Sequence, residues 1–350
     1  MSTSTKSGRA GRASRLAGVG VAALSAIILS ACAGGSGGSG GSTGAADTSS
    51  IAAIAAKADP HAPEATTIRG ALWQGPISAQ WFLGADVAEQ DYGVTFSSDW
   101  MTDATVGRAQ LAAGEIDIVP GSTIGAVQLS QGGVDTLIVA GNYTSQPGEQ
   151  LVYAMPGSGI TSVADLAGKT IAMTALTGSH PNRLRLEIKD AGGDPASLNI
   201  VASTYADMPA QLQSGVVDAV SVAAFAIPAV EAVGAVKVFD LGAGKYSGRP
   251  ENVWLTTKKF YEANPNTIAA FQCAVAEGGK LANDRANMEK FMADVLGYKP
   301  AVIAVSQSPI SVEGPLSEQQ IQADWDDDVA INGDAPFDVS SLVIPYPPSC

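Results

Sequence analysis

Histidine is almost missing from this chain: of 350 residues, only His61 and His180 carry an imidazole. Acid–base and metal chemistry draws heavily on that side chain, so the sequence argues against an enzyme, and neither a metal nor a cofactor is expected. Cysteine is as scarce, with three scattered residues and no cluster that reads as a zinc site. Positive charge is also short, 20 Lys and Arg against 34 Asp and Glu for a net −14, which disfavours nucleic acid and anionic lipid surfaces as partners. It fixes no sign for a small ligand, because a cleft makes its own field. What remains is 46% hydrophobic and only 15% charged, enough to build two ordinary α/β domains.

The basic side chains that do exist are partly gathered at the start. Lys6, Arg9, Arg12 and Arg15 precede an uncharged apolar run, Leu16 to Ala31, of 16 residues, short for a membrane span. The run leads into Leu29-Ser30-Ala31-Cys32 and resembles a bacterial lipoprotein signal, in which the cysteine becomes the lipid-modified first residue of the mature chain. No adjacent arginine pair is present, so ordinary secretion is expected rather than the twin-arginine route. Removing residues 1–31 takes away four basic and no acidic side chains, leaving 16 against 34, or −18. Cys273 and Cys350 are then an even pair in an oxidising compartment, and a disulfide between them is expected. Residues 32–65 read as the lipidated cysteine followed by a flexible Gly/Ser-rich tether.

The body carries one phrase twice. Ala109-Gln110-Leu111-Ala112-Ala113-Gly114-Glu115-Ile116-Asp117 and Ala210-Gln211-Leu212-Gln213-Ser214-Gly215-Val216-Val217-Asp218 agree at Ala, Gln, Leu, Gly and Asp. In each, a helical pattern stops at a glycine able to adopt the left-handed conformation, and a β-branched run follows. Two such αβ joints predict two lobes, with ligands held beyond the carboxyl ends of the strands. Lobe 1 is expected over 66–153 and 252–350, lobe 2 over 154–251. Gln150–Met155 and Glu251–Thr256 read as the two crossings.

Strand-end loops supply the candidate ligand contacts. Trp73 and Gln74 follow a strand beginning at Thr67; Trp81, on the next helix, reads as core. Ser122 and Thr123 open a helix, and Asn142 and Tyr143 follow the strand from Thr136. In the second half, Thr177, Gly178 and Ser179 lead into a helix whose first turn holds no acid, with Asn182 and Arg183 close by. That helix start is either a seat for an anion or simply capped by Ser179, and the two are compatible. Asp324, Asp326, Asp327 and Asp328 near the end of the Ser317 helix read as a solvated face, since the loop glycine and spacing of a calcium hand are missing.

From about Thr67 to Asn283 the chain resembles the extracytoplasmic solute-binding proteins of ABC importers, in the nitrate, sulfonate and taurine group. The resemblance rests on Ser162 to Ala172 (SVADLAGKTIA), Gly178-Ser179, Ala191-Gly192-Gly193-Asp194-Pro195, the two Gly-x-x-Asp units and Tyr261-Glu262-Ala263-Asn264-Pro265. It implies a periplasmic-binding-protein-like α/β fold of two lobes, each a mixed sheet flanked by helices, closing on a small ligand. It also implies a lipid-anchored monomer outside the cytoplasm, docking on an ABC permease and its ATPase. Carried onto matching positions, it implies ligand contacts at Trp73, Gln74, Ser122, Thr123, Asn142, Tyr143, Thr177, Gly178, Ser179 and Phe225. The paired basic residues of a nitrate or sulfonate pocket are not found, and Trp73, Tyr143 and Phe225 suit a heteroaromatic ligand at least as well as an anion. A lipid-anchored sensor using the same cleft, or an enzyme resembling the pyrimidine synthase of this fold group, are the alternatives.

Overall fold

The computed structural model describes residues 45–350 apart from Thr102 and Gln307. Its first elements are α1 (Ala45–Ala55), β1 (Thr67–Trp73), α2 (Ala79–Tyr92), β2 (Thr95–Met101), α3 (Ala104–Ala113), β3 (Val119–Gly121), α4 (Thr123–Gln131) and β4 (Thr136–Thr144). There follow β5 (Gln150–Ala154), β6 (Thr170–Met173), α5 (Ser179–Asp190), β7 (Asn199–Ala202), α6 (Met208–Gln213), β8 (Ala219–Ala223), α7 (Ile227–Ala232) and β9 (Val236–Asp240). The chain returns along β10 (Pro250–Thr257) and continues through α8 (Lys258–Ala263), α9 (Pro265–Asn283), α10 (Arg285–Asp294), α11 (Pro300–Val305), β11 (Ile310–Ser311) and α12 (Glu318–Asn332).

These strands make two separate mixed sheets. One has the order β11-β4-β10-β3, and a bridge between Gly70 and Ile118 joins it to the parallel pair β1-β2. The other has the order β7-β6-β8-β5-β9. The chain therefore passes between sheets at residues 145–149 and again at 241–249. Gln150–Ala154 is not a crossing but strand β5, paired on both sides with β8 and β9. Its uninterrupted apolar character is that of a central strand buried on both faces, every residue from Gln150 to Ala154 being buried. Likewise β10, expected as the return link, is an interior strand of the first sheet, between β4 and β3.

The repeated phrase does the same job in each sheet. Gly114 (φ 72°) and Gly215 (φ 73°) end α3 and α6 in the left-handed conformation. Three residues later, the Asp117 amide donates to the Arg69 carbonyl at 2.8 Å while its carboxylate accepts the Arg69 amide at 2.9 Å. Asp218 repeats this with Thr170, its amide donating at 2.8 Å and its carboxylate accepting at 2.8 Å. Each aspartate thus fixes the register of its strand against the neighbouring parallel one. Asp117 is buried and also holds the Arg69 side chain. Asp117→Ala is expected to cost about 1–3 kcal/mol in urea unfolding, because it removes a buried acceptor from the part-buried Arg69 amide; Asp218→Ala, at an exposed position, should cost less. Equal and negligible losses would contradict this role.

Trp81, Trp254 and Phe271 fill the core on one face of the first sheet, and Leu111, Val253 and Trp325 that on the other. The Trp254 indole donates to Gln80 Oε1 at 2.5 Å, and Gln80 Nε2 donates to the Val312 carbonyl at 2.7 Å, so no polar atom of that trio is stranded. Helices α2 and α9 touch backbone to backbone: a Cβ at Gly84 would lie 2.6 Å from the Ala274 carbonyl oxygen, and one at Gly278 would run into that of Gln80. Cys273, on α9, is bonded to Cys350 with their Cα atoms 5.2 Å apart, tying the last residue to this helix.

Two expectations are corrected. Residues 45–65 are not part of a flexible tether: Ile51 and Ala55 of α1 are buried in the first core, and the Glu64 carboxylate accepts the Asn266 and Thr267 amides at the start of α9. Cys32 and residues 33–44 lie outside the described residues. Asp324 and Asp328 are not solvated either, being 2% and 1% exposed. They face α5 across the gap between the two sheets, where Asn182 and Arg183 receive them.

Candidate functional site

A cavity of about 330 Å³ opens where the strand ends of the two sheets meet. The loop after β1 contributes Gln74 to Ile77, the end of β4 Tyr143, and the approach to β11 Ser308 and Pro309. From the second sheet come Gln150, Thr174 after β6, His180 on α5, Tyr205 after β7, and Ala223 to Phe225 after β8. Gln146 and Glu149 belong to the crossing itself. All three aromatic rings stand on the wall, Tyr205 meeting Phe225 edge-on at 5.1 Å and 86°.

Of the residues expected from the sequence, Gln74, Tyr143 and Phe225 line this cavity. The other seven do not. Trp73 is partly buried and packs against the core on one face of the first sheet. Ser122 caps α4, its hydroxyl accepting the Gly125 amide at 3.0 Å, and Thr123 is buried behind it. Asn142 is buried with its amide directed at Asn252 Oδ1, 3.3 Å away. Thr177 is exposed on the loop into α5, and Gly178 (φ 112°) and Ser179 form the start of that helix without lining the cavity. Sequence reading missed Glu149, Gln150, Thr174, His180 and Tyr205. Thr174 and Tyr205 obey the same strand-end rule as Gln74, following β6 and β7.

Beneath the cavity lies a buried charge network. Arg183, 1% exposed, pairs with Glu251 Oε1, donates to Ser145 Oγ at 3.0 Å and reaches Asp324 Oδ1 at 3.4 Å. Arg249 adds contacts to Asp327 at 2.5 Å and Asp324 at 3.5 Å, and both guanidinium groups lie 5.0 Å from the Tyr246 ring centre. His180 Nε2 stands 3.3 Å from Glu251 Oε2. Burial by itself would raise the Glu251 carboxyl, but the Arg183 guanidinium outweighs it and holds it below the usual range. Asp324, buried and served by a guanidinium it must share, is pushed up to about 6. Burial, and next the charge of Glu251, push Glu149 well above the usual range, while burial lowers His180 and favours the neutral imidazole.

Arg183 and Asn182 are therefore committed to carboxylates, and the anion seat expected at the start of α5 does not have them to offer. Glu149, His180 and Glu251 place ligand atoms within 4.8 Å of one another, the donor types of a transition-metal site. The guanidinium already on Glu251 competes with a metal ion for one of these three ligands.

With two sheets, two crossings and a cavity at facing strand ends, the chain can be compared with known proteins. Residues 127–286 match the family model described as NMT1/THI5 like. The alkanesulfonate-binding protein SsuA from Xanthomonas axonopodis pv. citri, solved bound to MOPS, is similar over 81% of this chain and 99% of that one, at 22% identity and a TM-score of 0.64. This is the periplasmic-binding-protein fold. The periplasmic nitrate-binding protein NrtA from Synechocystis PCC 6803 shares it, at 15% identity over 80% of this chain and 86% of that one, TM-score 0.62. So does the desulfurization enzyme DSZB, at 15% identity over 80% and 97%, TM-score 0.56. A search of curated proteins finds no match. Among the described residues no helix is long and apolar enough to cross a membrane.

Proposed function

We propose that this chain is the solute-binding component of an ABC importer, held by a lipid on Cys32 at the outer face of the cell membrane, and that it carries a small molecule from the cavity to a permease. The supporting observation is that both sheets contribute to one cavity wall, Gln74 and Tyr143 from the first and Thr174, Tyr205 and Phe225 from the second. Only two segments join the sheets near it. A ligand that touches both sides at once favours the closed arrangement over the open one by its differential contacts, and no bond need be made or broken. The three aromatic rings favour a flat solute over a simple inorganic ion.

An enzyme on the same fold is the second reading, and the neighbouring Glu149 and His180 side chains favour it, since they could exchange a proton across the cavity. A thermal-shift screen of the purified protein separates the two. Sulfonates, nitrate, bicarbonate, aromatic acids, amines and vitamin precursors are offered, and bound solutes are recovered and analysed. A true solute at a hundred times its dissociation constant should add about 2.7 kcal/mol of apparent stability and be recovered unchanged. Recovery of a converted product would favour the enzyme, and the lack of any stabilising solute would remove support from both.

A further inference from the structure

The charge on the cavity wall is one-sided. Among the described residues that line it there is no lysine or arginine, whereas Glu149 is present as a carboxyl group. Arg183, the guanidinium that comes nearest to serving the cavity, is sealed below it on Ser145, Glu251 and Asp324. Glu149 accepts the Gln146 amide at 3.3 Å and a hydrogen bond from Ser145, and of the charges around it the carboxylate Glu251 acts more strongly than Arg183. An anion entering here would find no cationic side chain on the wall to answer it, and His180 is neutral by burial, whereas a cation would favour the ionised form of Glu149 that burial and Glu251 otherwise disfavour.

The same wall suits the opposite charge. Tyr143, Tyr205 and Phe225 offer ring faces and edges, and Phe225 leaves 51% of its surface exposed although it is a large apolar residue. Aromatic rings around an ammonium group attract it through their quadrupoles, more strongly once water is excluded. A carboxylate at the inner end then supplies the full counter-charge, as a charge-assisted hydrogen bond to N–H or a simple ion pair to a quaternary nitrogen. Gln74, Gln146 and Gln150 remain for a polar group elsewhere on the solute.

We propose that the solute of this cavity is a small organic cation, an amine or quaternary ammonium on a flat or compact apolar body, with Glu149 as its counter-charge and Tyr143, Tyr205 and Phe225 as its aromatic enclosure. The proposal deepens the solute-binding reading and rests on it. A metal ion on Glu149, His180 and Glu251 is the competing occupant; it needs Glu251, which Arg183 already holds, whereas the organic cation needs Glu149 alone.

The test is calorimetric titration of the purified protein with choline, benzylamine and benzyltrimethylammonium, against benzoate, benzenesulfonate and taurine, and separately with zinc chloride. At least one of the three cations is expected to bind and neither aromatic anion to do so. Glu149→Gln should weaken the bound cation roughly ten- to a hundred-fold, by loss of a hydrogen bond or ion pair to a charged group. Should that variant not fold, Tyr205→Leu keeps the carboxylate, removes one ring and should still weaken the cation relative to wild type. Anions binding more tightly than the cations, with Glu149→Gln strengthening them, would overturn the cation while leaving solute capture intact. Zinc binding that His180→Ala abolishes, with no cation bound, would overturn it in favour of a metal. No binding by any probe would count against the cation and the solute-binding reading together.

Discussion

Replacing Arg183 with methionine is expected to lower the stability of the protein by about 3–5 kcal/mol, measured by urea unfolding at neutral pH. The variant keeps the apolar stem but leaves the nearly inaccessible Glu251 without its guanidinium and Asp324 with only the 3.5 Å contact from Arg249. Removing one partner of a buried network exposes the full desolvation cost of the others, whereas neutralising all of them together does not. Arg183→Met combined with Glu251→Gln and Asp324→Asn should therefore recover most of the loss. A loss below about 1 kcal/mol in the single variant would show that the network is no more than a surface ion pair.

The pH dependence follows from the same groups. Asp324 is raised to about 6, so the folded state holds a proton that the unfolded chain releases nearer the usual 3.8. Its contribution to stability grows as pH falls through 6 and is lost as pH rises through it. Glu251 is shifted the other way, and its contribution is lost only as pH falls below the usual carboxylate range. Stability from this pair is greatest in the mildly acidic window between them. In Arg183→Met both carboxyl groups shift upwards, so the variant should regain more stability than wild type between pH 7 and pH 5.

The second large effect is expected at the disulfide. Cys350→Ser should cost about 2–5 kcal/mol, since the bond between residues 273 and 350 closes a loop of sequence separation 77 in the unfolded chain. The native contacts it supports are specific. Gln272 Nε2 donates to the Val139 carbonyl at 2.8 Å and the Ile344 carbonyl at 3.1 Å, linking α9, β4 and the C-terminal segment. The loss should appear as a lower urea midpoint, with a slope at or above that of wild type because the denatured chain without the cross-link is less compact. A midpoint equal to wild type under oxidising conditions would mean that these contacts hold the segment without the bond.

Features written locally in the chain were legible before any coordinates. The αβ joints at Gly114 and Gly215, the buried Trp81 and the pairing of Cys273 with Cys350 all depend on residues within a turn or on composition, and the structure contains each. The strand-end rule reached Gln74 and Tyr143 for the same reason, and the family resemblance added Phe225. What was misread depends on partners far away in sequence. Asp324 looks like a solvated helix residue until Arg183, 141 positions earlier, is placed against it. Gln150–Ala154 is equally apolar as a linker or as a doubly buried strand, and only pairing with β8 and β9 decides. Ile51 belongs to a short helix with small neighbours, and its role came from the Tyr261 hydroxyl, which donates to its carbonyl at 3.1 Å. Glu149 stood just before an apolar run and carried no local sign that the chain would turn it into a cavity.

The central claim is that one cavity, shared by the two sheets, captures the solute. It is tested most directly by closing that cavity. Thr174 is exposed on its wall, so Thr174→Trp should fill the space without disturbing either core. With the solute that most stabilises wild type in hand, calorimetric titration of this variant is predicted to show no binding, at an unliganded melting temperature close to wild type. Unchanged affinity in the filled variant would place the solute elsewhere and contradict the account.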